Sequence, residues 1–319
     1  MLRLPIRALL AGLLAAPALL HAAATRTHVA STGSDANTAF SCDAAHPCRT
    51  FAAALGQTSP GGEILAMDST GYGKVVIDRS VSIVAAPGAF AGIGVGAGGN
   101  ATGVEIATAG VDVVLRGLTI TGQGGLYGIS MAQGASLSVE NCVIAGFSGA
   151  SHYAMRILAA AQVRVLDSVV RQNYRGFVAQ GGARVSIARS RFLDNTQVGI
   201  SIWGNADNTS TIAAVTDSVV SGSSWGLGAD AVTSPTTTAL LTVLRTTVSN
   251  NTRGIYATSG GNGIARVAVA GSTVTGNATG LFRQVIGAGN ATLHSTGGNA
   301  VTENGTDAAP GTVTALPPV

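Results

Sequence analysis

Between residues 111 and 304, apolar and polar positions alternate in short runs that recur about every two dozen residues. The clearest copies are AQVRVLDSVVRQNYRGF from Ala161, ARVSIARSRFLDNTQVGI from Ala183, ALLTVLRTTVSNNTRGI from Ala239 and ARVAVAGSTVTGNATGL from Ala265. Each reads apolar, polar, apolar, then a small hydroxyl residue, another apolar residue, an Asn, a Gly and a final apolar residue. Alternation with period two predicts strands of about three to five residues, too short to bury an apolar face alone. Stacking the copies buries it, so the pattern predicts a solenoid of parallel strands about 4.8 Å apart. The anchors Ile120, Ile144, Val170, Phe192, Val220, Val248, Val274 and Val301 are 24, 26, 22, 28, 28, 26 and 27 residues apart, one coil per copy.

Aligning the copies produces columns. Asn173, Asn195, Asn251, Asn277 and Asn304 form one, interrupted by Gln123, Phe147 and Ser223. Stacked amides bond to the copies above and below, and Asn tolerates left-handed backbone at a turn that a following Gly permits, so this column is expected to be structural and broken at the interruptions. Cys142 shares a second column with Ser168, Ser190, Ser218, Thr246 and Ser272, which predicts a buried small residue rather than a nucleophile.

Outside the repeats the signals change. Arg3 and Arg7, an apolar run over residues 8–20 and Ala22, Ala23 and Ala24 predict a secretory signal cleaved after Ala24. Residues 25–47 read as a loop rich in Ser, Asp, Asn and Gly. Phe51 and Leu55, four apart and followed by Gly56, predict a short helix with a glycine stop that lids the solenoid end. EILAM, KVVI and VSIV then form a first irregular coil, and GIGVGAGG from Gly92 reads as a connector. The expected division is signal 1–24, loop and capping helix 25–60, solenoid 61–305, and a tail 306–319 in which Pro310, Pro317 and Pro318 end the sheet.

Composition narrows the partners. Charged residues make up 10% of the chain and 44 residues are Gly, while 46% are hydrophobic, a balance that suits stacked β structure and not disorder. Without the signal the chain carries 16 basic and 15 acidic residues, so no global charge steers it to nucleic acid. No later stretch has the length of a membrane span. Cys42 and Cys48, six apart in an exported chain, are expected to form a disulfide.

CRTFAAAL, followed by PGGEILAMDSTGYGKVVIDRSVSIV and by VxVxxSxVxxNxxG repeats, resembles the right-handed parallel β-helix family within the pectate-lyase-like superfamily. The resemblance covers nearly the whole mature chain. It implies an all-β fold: a right-handed, single-stranded parallel β-helix with a short N-terminal capping helix. It does not choose an activity, because the superfamily includes lyases, hydrolases, epimerases and phage tailspikes.

Two surfaces carry candidate chemistry. The residue before the repeat Gly gives a column of Tyr127, Tyr153, Arg175, Val198, Trp225, Arg253 and Thr279, with His152 and Trp203 close to it. Rings stack on pyranose faces and guanidinium forks bind carboxylates or sulfates, so Tyr127, His152, Tyr153, Arg175, Trp203, Trp225 and Arg253 are the expected binding residues for a polysaccharide, and an anionic one would suit the arginines. Seven arginines and one acid, Asp167, lie between Arg156 and Arg191, and Arg164 and Arg184 are expected to stack on successive strands. Lyases that this fold resembles often use Arg or Lys as base, which makes Arg164 and Arg184 the catalytic candidates for β-elimination of a uronate. Supporting acids are thin: Asp167 and Asp217 share a column two rungs apart, and the DD, HG, RIK, DPH and RxPxxR signatures of superfamily enzymes are absent. Binding is therefore favoured over catalysis, with a purely structural or adhesive envelope role as the third possibility. No cofactor is called for. Asp35, Asn37 and Asp43 are the one place a calcium ion could sit, but Asx turns before the helix are the favoured explanation of them.

Overall fold

The computed structural model describes residues 23–98, 101–233, 236–308 and 313–315. Most of the expected signal segment, residues 1–22, and the three tail prolines lie outside the described residues. Three sheets of twelve, ten and ten strands wrap around one apolar core. One coil runs from Asp112–Arg116 in sheet one through Leu118–Gln123 in sheet two to Tyr127–Met131 in sheet three. It then returns as Ser136–Glu140, which stacks in parallel on the strand where it began. Every later coil repeats the path, so a residue at a given place in one copy sits directly above its counterpart in the previous one.

Inward positions are filled by the alternating apolar residues: Val163 and Val165 in sheet one, Val170 in sheet two, Phe177 and Ala179 in sheet three. The turns obey a second rule. At the corner between sheets one and two, Asn141, Asp167, Arg189, Asp217, Arg245 and Gly271 take left-handed backbone. The residue after each is the buried Cys142, Ser168, Ser190, Ser218, Thr246 or Ser272. The Ser side chains accept the backbone N–H of the coil before them, as in Cys142 N to Ser168 Oγ at 3.1 Å and Ser190 N to Ser218 Oγ at 3.1 Å. Burial pushes the Cys142 thiol up to about 11, so it is an inert member of this column.

The Asn column performs the same task at the next corner. Asn173 N donates to Asn195 Oδ1 at 3.2 Å, Asn251 N to Asn277 Oδ1 at 2.9 Å and Asn277 N to Asn304 Oδ1 at 3.0 Å. Each amide also donates backward to a carbonyl, as Asn277 Nδ2 does to Val248 O at 3.0 Å. At Ser223 the ladder breaks as expected, and its buried hydroxyl has no partner. The left-handed residue, however, is not the Asn but the one before it: Gln172, Asp194, Asn250, Gly276 and Glu303. Nor does the repeat glycine supply the turn. It is needed for close stacking, because a Cβ on Gly226 would come 2.5 Å from Gly254 O and one on Gly254 would come 2.6 Å from Gly280 O.

The ends depart from expectation. Residues 25–47 are not all loop: Ala24–Val29 is the first strand of sheet one and Asn37–Phe40 is a turn of 3-10 helix. Thr27 and Val29 point inward, and the buried Thr27 hydroxyl is matched by Thr58 Oγ1 at 2.8 Å, so an apparently polar segment has the alternation of a strand. The helix Phe51–Gln57 covers the core end with Phe51, Ala54 and Leu55, and Thr50 Oγ1 caps it by accepting Ala53 N at 3.2 Å. It runs through Gly56 and stops where Thr58 turns extended and donates its hydroxyl to Ala54 O at 2.8 Å. Cys42 and Cys48 are disulfide-bonded beside it. The expected connector contains the strand Ala91–Gly96, whose Ile93 and Val95 are buried while glycines alternate with them. The tail continues the solenoid instead of ending it: Thr306–Ala308 adds to sheet three and Val313–Ala315 to sheet one.

Replacing Asn251 by Ala removes the acceptor of Ser223 N, at 2.9 Å, and the donor to Val220 O, at 3.3 Å, inside the core. At about 1–3 kcal/mol for each of these two buried groups left without a partner, the expected loss is ~2–6 kcal/mol in urea unfolding. An unchanged midpoint would mean that the ladder adds nothing to stability.

Candidate functional site

Tyr127, Tyr153, Arg175, Val198, Trp225, Arg253 and Thr279 begin successive strands of sheet three and pair in unbroken register. The column anticipated from the copies is thus real, but its members hold one another rather than standing free. The rings of Tyr127 and Tyr153 are 5.8 Å apart, and Arg156 lies over both at 5.3 and 5.5 Å. Arg175 stacks on Tyr153 at 4.8 Å and on Trp203 at 5.2 Å, and its guanidinium donates to Gln197 Oε1 and to the Tyr153 hydroxyl. Arg253 lies between Trp225, at 4.2 Å, and Phe282, at 4.6 Å. These guanidinium groups stiffen the aromatic row through cation–π contacts. His152 sits in the turn before Tyr153, where its carbonyl accepts Arg175 N at 3.2 Å.

The row has one gap, at Val198, and the next outward column is small at the same level, with Ser201 and Gly228. Tyr256 fills the floor of that gap. Its ring lies against Gly228, where a Cβ would meet it at 2.4 Å, and its hydroxyl reaches Ser201 Oγ, two coils away, at 2.7 Å. Only 2% of Tyr256 is exposed, and the edge of its ring meets Trp225 at 4.9 Å. Above this floor is a recess of about 200 Å³ walled by Arg175, Gln197, Trp203, Trp225 and Asp230. A second recess of about 310 Å³ shares Trp203, Trp225 and Asp230 with it and extends to Thr258 and Gln284. Trp203, Asp230, Thr258 and Gln284 form a third outward column, one residue per coil.

Asp230 is the unusual group here. Its carboxylate accepts Val232 N at 3.1 Å and, among the described residues, has no salt-bridge partner. Burial holds its carboxyl above the ordinary value. Beside it the buried Thr258 hydroxyl lies close enough to the carboxyl to offset part of that rise. Burial likewise raises the Tyr256 phenol, with the Asp230 charge adding to the effect. Asp230, Tyr256 and Thr258 were missed in the sequence, although a signal existed: Asp230 follows Trp225 by five residues, as Trp203 follows Val198.

The arginine candidates lie elsewhere, on the outer face of sheet one. They are not stacked: Arg184 pairs with Gln162, and Arg164 with Ser186, so the two guanidinium groups are diagonal. The correction follows from the copies themselves, in which AQVR and ARVS place the arginines two positions apart. They border a shallow depression of about 370 Å³ lined also by Ser186, Ile212 and Thr242, with no carboxylate in its wall. Glu140, on the neighbouring strand of sheet one, is paired with Arg116 at 2.7 Å. Asp167 and Asp217 are likewise engaged, in an exposed ladder where Arg189 grips Asp167 and Arg245 grips Asp217 with two hydrogen bonds each of 2.7–2.9 Å. Those guanidinium bonds hold both carboxyls below their ordinary value. Asp35 accepts Arg49 N and Thr50 N, and Asp43 accepts Ala45 N and His46 N, two and three residues on, as in an Asx turn. Among the described residues no group of three or more His, Cys, Asp or Glu side chains is placed to hold a metal ion.

A chain that coils through three parallel sheets around one core is a β-helix. The family model described as "Right handed beta helix region" matches residues 102–305, and the chain belongs to that family. Among solved structures it is similar to the crystal structure of pectate lyase Pel9A, with a TM-score of 0.64 and 14% identity over 91% of this chain and 78% of that one. It is also similar to the crystal structure of Dettilon tailspike protein, with a TM-score of 0.44 and 14% identity over 83% of this chain and 63% of that one. None of the curated proteins matches the sequence.

Because the folded state holds a proton on Asp230 more tightly than the ordinary 3.8, stability falls as pH rises from that value through the raised one. Asp230→Asn removes this segment. Its melting temperature should equal or exceed the wild type's at pH 7, with the difference shrinking below about pH 4, at ~1.4 kcal/mol per tenfold change in proton affinity. Melting curves that run parallel across this range would show that Asp230 is not desolvated.

Proposed function

We propose that the protein is exported and binds polysaccharide on the outer face of sheet three, with the glycan crossing the strands and sugar rings packing at Trp203 and Trp225. The observation that carries this reading is the paired recess at the Val198 gap, where two tryptophans, an acid and an amide, Gln197, surround an open floor. Aromatic walls supply the apolar faces of sugars with a surface, and a few polar groups fix the ring orientation. Strands repeat every ~4.8 Å, close to the advance of one hexose along an extended glycan, so successive coils meet successive sugars. The pectate lyase of similar fold is named for a polysaccharide substrate, which agrees with this use of stacked coils. The Cys42–Cys48 disulfide agrees with an oxidising compartment.

Catalysis by β-elimination at Arg164 and Arg184 has no comparable support, since the depression between them contains no acid. In affinity electrophoresis against a panel of neutral, amino and uronate polysaccharides, Trp203→Ala and Trp225→Ala should each weaken retention about tenfold or more, ~1.4 kcal/mol. Arg164→Ala and Arg184→Ala should leave it unchanged. Retention that survives both Trp replacements, or no retention by any polymer, would remove the reading.

A further inference from the structure

The groove around Asp230 differs in charge from what the row of arginines leads one to expect. Arg175 and Arg253, its two nearest cations in the row, are stacked on the tryptophans, and Arg175 is also hydrogen-bonded to Gln197 and Tyr153. The one ionisable group that lines both recesses is the carboxyl of Asp230, and it has no cation of its own. A carboxylate taken partly out of water without a counterion is costly, and it is relieved when a ligand brings the missing charge. Aromatic walls add to the attraction, because their ring faces favour cations. A uronate in the same place would set a second carboxylate against Asp230, with like-charge repulsion, while Arg175 in the recess wall is already held by Gln197 and Tyr153.

We propose that this recess, as the sugar-binding site put forward above, takes a hexosamine unit with a free amino group, whose ammonium pairs with Asp230 while its ring lies against Trp203 and Trp225. The inference rests on the polysaccharide reading and specifies its ligand. Thr258, next along the column, has a buried hydroxyl beside the Asp230 carboxyl and supplies a further hydrogen-bonding group to a neighbouring hydroxyl of the sugar. N-acetylation of the ligand removes the cation and leaves a neutral amide that the carboxylate cannot pair with.

The test is calorimetric titration of the purified mature protein near pH 7 with three soluble probes: glucosamine oligomers, N-acetylglucosamine oligomers and galacturonate oligomers. Glucosamine oligomers should bind at least about tenfold more tightly than either of the others, and Asp230→Asn should abolish that preference. The preference among the three probes is read on the wild type, so it decides even if a variant folds poorly. Equal or tighter binding of the acetylated or uronate probe would overturn the inference, as would a glucosamine preference that survives Asp230→Asn. If none of the probes binds, the inference also fails. Retention of some other polymer in the electrophoretic panel would then leave the polysaccharide reading standing, whereas an empty panel would remove both.

Discussion

Each coil turns its corners by placing one residue in left-handed backbone, and the price of that geometry is a buried N–H just after it with no partner in its own strand. The side chain at the same place in the next coil provides the acceptor: Ser at one corner, Asn at the other. This pairing fixes the registration of every coil on its neighbour. Side chains on the outer face then inherit the alignment, so columns such as Tyr127, Tyr153 and Arg175 are a consequence of how the corners are satisfied. The repeat glycines serve the same requirement by letting backbones approach where the Asn side chains lie.

Freed from core packing, the outer face differs from sheet to sheet. Sheet one carries scattered arginines and one shallow depression, whereas sheet three has aromatic residues and arginines interleaved into a rigid row. A row of that kind is a wall, and it becomes a site only where it is interrupted. Val198, Ser201 and Gly228 are small at one level, and Tyr256 lies across them. The recess is therefore a property of four coils together, with Arg175, Trp203, Trp225 and Tyr256 each contributed by a different one.

What could be read in the sequence follows the same division. Column membership depends only on spacing, so the aromatic row, the Asn ladder and the hydroxyl column with Cys142 were all legible. The first strand was not, because Thr25, Arg26 and His28 are polar and the inward Thr27 looks like a loop residue until its hydroxyl finds Thr58. For Asp230 the spacing marked the column but not the environment: whether an acid is solvated depends on what stands above, below and beside it, and here those neighbours are Thr258, Trp203 and Val232. The arginine pair shows the reverse, since its diagonal placement was present in the aligned copies and only needed counting.

The direction of the ladder has a further meaning. Amides and hydroxyls accept from the coil before them, so a coil of this protein is completed by the one that follows it in the chain. At the last Asn corner there is no following Asn, and Asp307, three residues on, accepts Asn304 N at 3.1 Å and its Nδ2 at 2.8 Å. During synthesis the growing end would thus always hold one unfinished corner, sealed as the next two dozen residues emerge. Asp307 therefore supplies from within its own coil the acceptor that the following coil supplies at the other Asn corners.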